Sequence, residues 1–135
     1  MENKTKQVLV FRTDLKEMTT GKAIAQGSHS VLKVFFDRID REASKDGKLV
    51  MTGIRDYEYH WIFGIFRKIS LGCKSEAELL DLLSKAQAAD LPCALITDAG
   101  LTCFDGKPTN TCISIGPAPE DQVDLITGHL KMYKN

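Results

Sequence analysis

The chain has 135 residues, of which 43% are hydrophobic and 27% charged, a composition typical of one globular domain spanning residues 1–135. Its 18 Lys and Arg residues balance 18 Asp and Glu residues, and the resulting net charge of zero argues against a strongly basic, indiscriminate nucleic-acid binder. The sequence shows neither an N-terminal targeting signal nor an apolar run of membrane-spanning length, so we expect a cytoplasmic protein that makes no membrane contact.

The predicted elements begin with a strand at Gln7–Arg12, whose continuous apolar run suits a buried central position. A polar loop follows, and then a long helix from Gly21 to about Arg41. The apolar side of this helix is predicted to comprise Ile24, Val31, Phe35 and Ile39. The opposite, polar side is predicted to comprise Lys22, Gln26, His29 and Lys33.

The rest of the chain alternates between short helices and strands. Residues 44–53 are predicted to be an irregular connection, and Ser75 and Glu78 form a capping box that starts a helix. Further helices are predicted at Tyr57–Phe63 and after Pro117 and Pro119, and further strands at Phe66–Gly72, Cys93–Thr97 and Thr111–Ile115. This order predicts a three-layer α/β/α domain with a small mixed sheet of four strands.

Cysteine spacing indicates neither a disulfide framework nor a metal site. The four cysteines (Cys73, Cys93, Cys103 and Cys112) are far apart and form no C-x-x-C pair or Cys/His cluster. We therefore expect buried, reduced thiols, no metal and no cofactor.

Lys22, Gln26 and His29 are the first candidate site, because their spacing aligns an amine, an amide and an imidazole on one helix face. A solvated helix face would show the same pattern. However, a lysine in the first turn opposes the helix dipole, and Thr20 and Gly21 offer a hydroxyl and free backbone amides beside it. This combination is suited to docking a phosphate or carboxylate.

Asp98 and Thr102 are the second candidate, directly after a predicted strand, where open α/β sheets place ligand sites. Asp, Gly and Thr are also common turn residues, so a tight turn is the alternative. Thr111 is a weaker candidate, because Thr is also favoured in strands. No nucleophile-elbow or phosphate-loop motif occurs, which favours direct attack by water if the protein is a hydrolase.

These segments together resemble the type 2 peptidyl-tRNA hydrolases. The shared motifs occur in family order: Arg12-x-Asp-Leu, Gly21-Lys-x-x-Ala-Gln-x-x-His, Trp61-x-x-Gly, Leu95-Ile-x-Asp-Ala-Gly-x-Thr, Thr111-x-x-x-Ile-Gly-Pro and Thr127-Gly-His-Leu-Lys. The chain departs from the family pattern at Gly27, where many members have Cys, and at residues 44–60, which have no clear counterpart.

The resemblance implies a cytosolic homodimer that hydrolyses peptidyl-tRNA without a metal. It places the active site at Lys22, Gln26, His29, Asp98, Thr102 and Thr111. Lys22 would hold a terminal phosphate or polarise the ester, Asp98 alone or with His29 would activate water, and a threonine would stabilise the oxyanion. The alternative is a non-catalytic relative that binds RNA or protein through its dimer surface.

Overall fold

The structure, a computed structural model, describes residues 4–101 and 104–134. Within these ranges the chain forms an α/β fold whose helices and strands include every element predicted from the sequence. In chain order the helices and strands are β1 (Thr5–Arg12), α1 (Thr20–Phe36), α2 (Asp56–Phe63), β2 (Lys68–Cys73), α3 (Glu76–Ala88), β3 (Cys93–Asp98), β4 (Thr109–Pro119), α4 (Glu120–Thr127) and β5 (Lys131–Met132). In the described ranges, no helix is both long and apolar enough to cross a membrane.

The sheet is mixed, as predicted, but it has five strands in the order β3-β4-β1-β2-β5, so the predicted number of four is wrong. β1 runs parallel to β2, and the other pairs are antiparallel. The extra strand, β5, pairs only through Leu71 with Met132 and Gly72 with Lys131. A two-residue strand shows no periodicity in a sequence, which explains why it was not predicted.

Strand direction brings three chain segments to one edge of the sheet. β1 and β3 are both antiparallel to β4, so their carboxyl ends lie at the edge where β4 begins. Helix α1 starts after the short loop that leaves β1. The start of α1, the end of β3 and the start of β4 are therefore neighbours in space.

The alternation of side chains along β1 separates two sets of packed helices. Val8 and Val10 pack with apolar residues of α3 and α4, whereas Leu9 and Phe11 pack with Ala23 of α1. Successive side chains of a strand point to opposite faces of its sheet. Helix α1 therefore contacts one face of β1, and α3 and α4 contact the other.

Two helices begin with hydroxyl caps. The Thr19 side chain accepts a hydrogen bond from the Lys22 N–H at 3.2 Å, and the Ser75 side chain accepts one from the Glu78 N–H at 3.1 Å. The second cap confirms the predicted start of α3. Helix α4 follows Pro119, as predicted, and the acidic residues Glu120 and Asp121 in its first turn favour the helix N-terminus.

The buried face of α1 differs from the predicted apolar side. Its buried residues are Ala23, Gln26, Gly27, Ser30, Val34 and Phe35. Ile24, predicted to be in the core, is 65% exposed, and the helix ends at Phe36, so Ile39 lies beyond it. Small residues bring the helix close to the sheet: a Cβ at Gly27 would lie 2.9 Å from Phe11 Cζ. Close approach on this side turns Ile24 outward.

The connection between α1 and α2 is irregular, as predicted, apart from an isolated bridge between Ile39 and Met51. Arg38 anchors it by donating hydrogen bonds to both carboxylate oxygens of the fully buried Glu58. Glu58 also accepts a hydrogen bond from the Arg55 N–H at 2.9 Å. This buried charge is therefore fully engaged with donors, which makes its burial tolerable.

Cys73, Cys93 and Cys112 are free thiols; Cys73 and Cys112 are buried, as predicted, whereas Cys93 is only partly buried. Burial raises the pKa of the Cys73 thiol to about 11 and that of Cys112 to about 12. Cys103 lies outside the described residues.

Candidate active site

An ion pair between Lys22 and Asp98 stands at the shared edge of the sheet. Lys22 Nζ lies 2.6 Å from Asp98 Oδ2, and the two side chains are only 20% and 10% exposed. Lys22 is in the first turn of α1, and Asp98 is the last residue of β3. The carboxylate offsets the unfavourable position of a cation at a helix N-terminus. The structure thus brings together the two charged residues that the sequence singled out.

Gln26 and Thr111 extend this pair into a hydrogen-bonded chain. Gln26 Nε2 donates to Asp98 Oδ2 at 3.2 Å, and the Thr111 hydroxyl donates to Gln26 Oε1. Gln26 is 4% exposed and Thr111 is fully buried. The sequence placed Gln26 on the polar side of α1, opposite the predicted core residues, and its burial shows that this side of the helix is not a uniformly solvated face. Paired donors and acceptors remove the cost of burying the amide.

A β-bulge aims Thr111 at this site. In the β3–β4 ladder Ile96 pairs with Cys112 and Thr97 pairs with Asn110, so Thr111 is an extra residue without a partner opposite it. Such a bulge re-aims a side chain. Thr111 and Cys112 consequently both contact Gln26, whereas neighbours in a regular strand point to opposite faces.

Asp98 also forms the tight turn that was the alternative interpretation of this segment. Its Oδ1 accepts a hydrogen bond from the Gly100 N–H at 2.7 Å, while Oδ2 faces Lys22 and Gln26. The hydrogen bond from Lys22, followed by that from Gly100, holds the pKa of Asp98 below its ordinary value. The carboxylate therefore stays ionised at neutral pH and has one oxygen for the turn and one for the site.

The remaining predicted residues occupy different positions. His29 is exposed on α1, and its charge acts with that of Lys22 to lower the pKa of Asp98. Thr20 and Gly21 are exposed in the first turn of α1, and Thr20 lines a cleft on the other flank of the helix. Thr102 lies outside the described residues, so its predicted place beside Lys22 stays a prediction.

The cleft that Thr20 lines has a volume of about 420 Å³. Its lining, drawn largely from α1, β1 and β2, includes Leu9, Phe11, Ile24, Gly27, Val31 and Tyr133. Asp98 and Thr111 instead come from β3 and β4, so the cleft and the ion pair flank α1 on different sides.

Two contacts at the sheet edge were not predicted. Glu17 Oε2 accepts a hydrogen bond from the Phe104 N–H at 3.0 Å and so joins the loop before α1 to the loop after β3. Arg12 donates to the carbonyl oxygen of Asn110 at 3.0 Å. The only sequence signal for these two contacts is that Arg12 and Glu17 are charged residues at and after the end of β1. Charged residues at such positions are equally typical of an ordinary surface. Across residues 4–101 and 104–134, His, Cys, Asp and Glu side chains form no group of three that could hold a metal ion.

Comparisons with known proteins agree on one family. The family profile described as Peptidyl-tRNA hydrolase PTH2 matches residues 5–133. A peptidyl-tRNA hydrolase of Methanocaldococcus jannaschii is 36% identical over 94% of this chain and 98% of its own length. One from Methanopyrus kandleri is 36% identical over 96% of this chain and 98% of its own length.

A eukaryotic relative and a solved structure extend the comparison. A probable peptidyl-tRNA hydrolase 2 of Dictyostelium discoideum is 41% identical over 95% of this chain, which spans 54% of that protein. The solved structure of an Agrobacterium tumefaciens protein of unknown function covers 99% of the chain with a TM-score of 0.56 and 12% identity, a likeness in fold alone. The match from residue 5 to residue 133 and the near full-length archaeal similarity show that this chain belongs to the peptidyl-tRNA hydrolase PTH2 family.

Proposed function

We propose that this protein hydrolyses the ester bond between peptide and tRNA in peptidyl-tRNA, releasing free tRNA. A water oxygen bonds to the ester carbon, the bond from that carbon to the ribose oxygen breaks, and the leaving oxygen takes up a proton. The observation that supports this proposal best is the Lys22–Asp98 pair, connected to Gln26 and Thr111, in a chain of this family. Curated relatives carry the same activity in their names.

Lys22 is proposed to bind the negative charge of the substrate. Its ammonium group lies at the start of α1, where the helix dipole also favours an anion. It would hold the 3′-terminal phosphate of the tRNA or polarise the ester carbonyl. Asp98 holds it in place at 2.6 Å, which reduces the side-chain freedom lost on binding substrate.

Asp98 is proposed to orient the attacking water by accepting a hydrogen bond from it, and not to act as the base that removes the water's proton. A carboxylate whose pKa is lowered is a weak base but a good hydrogen-bond acceptor. His29, exposed on the same helix, is the imidazole that is proposed to accept that proton in its neutral form. Thr102 or Thr111 is proposed to donate a hydrogen bond to the oxyanion. Since the Thr111 hydroxyl donates to Gln26, Thr102 suits this role better.

A non-catalytic binding role is the weaker alternative. A surface that only binds RNA or protein gains little from a half-buried lysine tied to an aspartate and a buried glutamine. Such a group resembles the preorganised charges of an active site.

The deciding experiment is the release of the acyl-amino acid from an N-blocked aminoacyl-tRNA. Wild-type protein should hydrolyse it, and Lys22→Ala should lower kcat/KM about ten- to a hundredfold, since a charge-assisted contact is lost. Lys33→Ala is the matched control, because Lys33 is on the same helix but pairs with the exposed Asp37. Equal activity in the two variants would show that Lys22 has no part in the reaction, and an inactive wild-type protein would overturn the proposed function.

We also propose that the protein is cytoplasmic and that its domain has three α/β/α layers, with α1 on one face of the sheet and α3 and α4 on the other.

We propose further that the protein is a homodimer. Large apolar side chains are exposed along α1, on α2 and in the turn after α2: Ile24, Leu32, Phe36, Tyr59, Phe63, Ile65 and Phe66. Trp61 contacts both Phe35 and Phe66, so α1 and the turn after α2 are neighbours. Exposed apolar patches mark association surfaces. Sedimentation should show a dimer that Phe63→Lys converts to monomer, whereas a monomeric wild type would refute the assignment.

A further inference from the structure

The ion pair between Arg12 and Asp14 stands beside the site without contacting its reactive groups. Arg12 Nε donates to Asp14 Oδ1 at 3.0 Å, and Nη2 donates to Asp14 Oδ2 at 2.8 Å. A bidentate pair of this kind holds the guanidinium plane in one orientation. The Arg12 side chain is 13% exposed, so this orientation is further restricted by packing.

The third nitrogen of the same guanidinium reaches the bulge in β4. Arg12 Nη1 donates to the carbonyl oxygen of Asn110 at 3.0 Å. That carbonyl belongs to the peptide bond leading directly into Thr111, the extra residue of the bulge. A bulge disrupts the local ladder, and its geometry therefore depends on groups outside the ladder.

The Asn110 side chain is held as well. Its Oδ1 accepts a hydrogen bond from the Thr97 hydroxyl at 2.6 Å, and its Nδ2 donates to Glu76 Oε2 at 3.4 Å. Glu76 lies 3.7 Å from Arg12 Nη1, which closes the network. The residue before Thr111 is thus anchored through both its backbone and its side chain.

These contacts continue to the site on the other face of the sheet. The position of Thr111 determines where its hydroxyl meets Gln26, and Gln26 in turn donates to Asp98. We propose that Arg12, oriented by Asp14, is a positioning residue that fixes the β4 bulge and thereby the Thr111–Gln26–Asp98 chain. The predicted effect on kcat rests on the proposed function. The predicted effect on the positions of Thr111 and Gln26 does not.

The kinetic test compares Arg12→Gln and Asp14→Asn with Asp90→Asn. Asp90 also pairs with an arginine, Arg55, at 3.0 Å, but it lies before the opposite end of β3. The first two variants should lower kcat about tenfold and leave KM within about twofold, because they displace groups near the reaction without removing a substrate contact. Asp90→Asn should leave both constants unchanged. Wild-type kcat in Arg12→Gln would overturn the proposal.

A double-mutant cycle tests whether Arg12 acts through the bulge. Thr111→Val keeps the shape of the side chain but removes its hydrogen bond to Gln26. On that background Asp14→Asn should lower kcat by less than about twofold, because residues that act through one another are not additive. Independent effects that multiply in full would show that Asp14 acts by another route.

A spectroscopic test separates this inference from the proposed function. In ¹⁵N-labelled protein the side-chain amide resonances of Gln26 should shift in Arg12→Gln and Asp14→Asn, and remain in place in Asp90→Asn. Unchanged Gln26 resonances in folded Asp14→Asn protein would refute the positioning role even if the rate falls. If the Gln26 resonances shift in the two variants but the wild-type protein hydrolyses no peptidyl-tRNA, the positioning role stands and the proposed function is refuted.

Discussion

Replacing Asp98 with Asn tests the two roles that the structure gives to this residue. Asn keeps an oxygen for the Gly100 N–H, so the turn after β3 survives. Its NH₂ group, however, then faces the ammonium of Lys22 and the amide nitrogen of Gln26, both of which are donors. The substitution therefore removes the charge and places three donors together.

The magnitude follows from the lost contacts. Hydrogen bonds to a charged group contribute about 1.5–3 kcal/mol, so we expect the free energy of unfolding to fall by about 2 kcal/mol. For a domain of this size that change lowers Tm by roughly 5–10 °C. We expect kcat to fall about 10²-fold or more, the usual contribution of a group that directs proton transfer.

The lowered pKa of Asp98 predicts how its contribution to the free energy of unfolding changes with pH. Because the pKa of Asp98 is lowered in the folded protein, its contribution to stability is complete above its unfolded-state pKa of about 3.9. The contribution is lost as pH falls through the lower, folded-state value. The difference in unfolding free energy between wild type and Asp98→Asn should therefore be constant near neutral pH and shrink in acid.

Urea unfolding and deacylation of N-blocked aminoacyl-tRNA measure the two effects separately. Asp37→Asn is the control, because its pair with Lys33 is about half exposed, and we expect changes below about 0.5 kcal/mol. An Asp98→Asn protein that melts early but retains the wild-type rate would make Asp98 a structural residue only, which stabilises the fold through Lys22 and Gln26. An unchanged stability would refute the structural role.

Three further predictions concern other parts of the fold. Glu58→Ala removes a fully buried carboxylate, leaves the partly buried Arg38 without its partner, and should lower the unfolding free energy by about 3–5 kcal/mol in urea titrations. Iodoacetamide at pH 8 should leave Cys73 and Cys112 unmodified in native protein and modify both after denaturation, because burial raises their pKa to about 11 and about 12; peptide mapping reads this out, and labelling of the native thiols would contradict it. Glu17→Ala should lower kcat/KM about tenfold by releasing the Phe104 N–H, and Glu17→Gln, which keeps an acceptor, should restore most of it; equal losses would show that the charge matters instead.

Local signals in the sequence were sufficient to predict the helices and the four longer strands and to single out Lys22 and Asp98 as candidate site residues. The apolar run of β1, the Ser75 cap and the proline start of α4 each act over a few neighbouring residues, so they can be recognised without the fold. The position of Lys22 at a helix start and of Asp98 at a strand end follows from the same signals. Chain order and strand direction then bring the two residues to one edge.

Tertiary structure alone decided which face of α1 is buried and how the site is connected. Gln26 is a polar residue, yet it is buried because Asp98 and Thr111 supply its hydrogen-bond partners. These partners are 72 and 85 residues away along the chain, so no local sequence signal could reveal them. A one-residue bulge turns Thr111 toward it, and a single inserted residue leaves no mark on the strand's apolar pattern. Hydrogen-bond pairing between distant residues can outweigh local hydrophobic periodicity, because a buried polar group is stable only where its partners are.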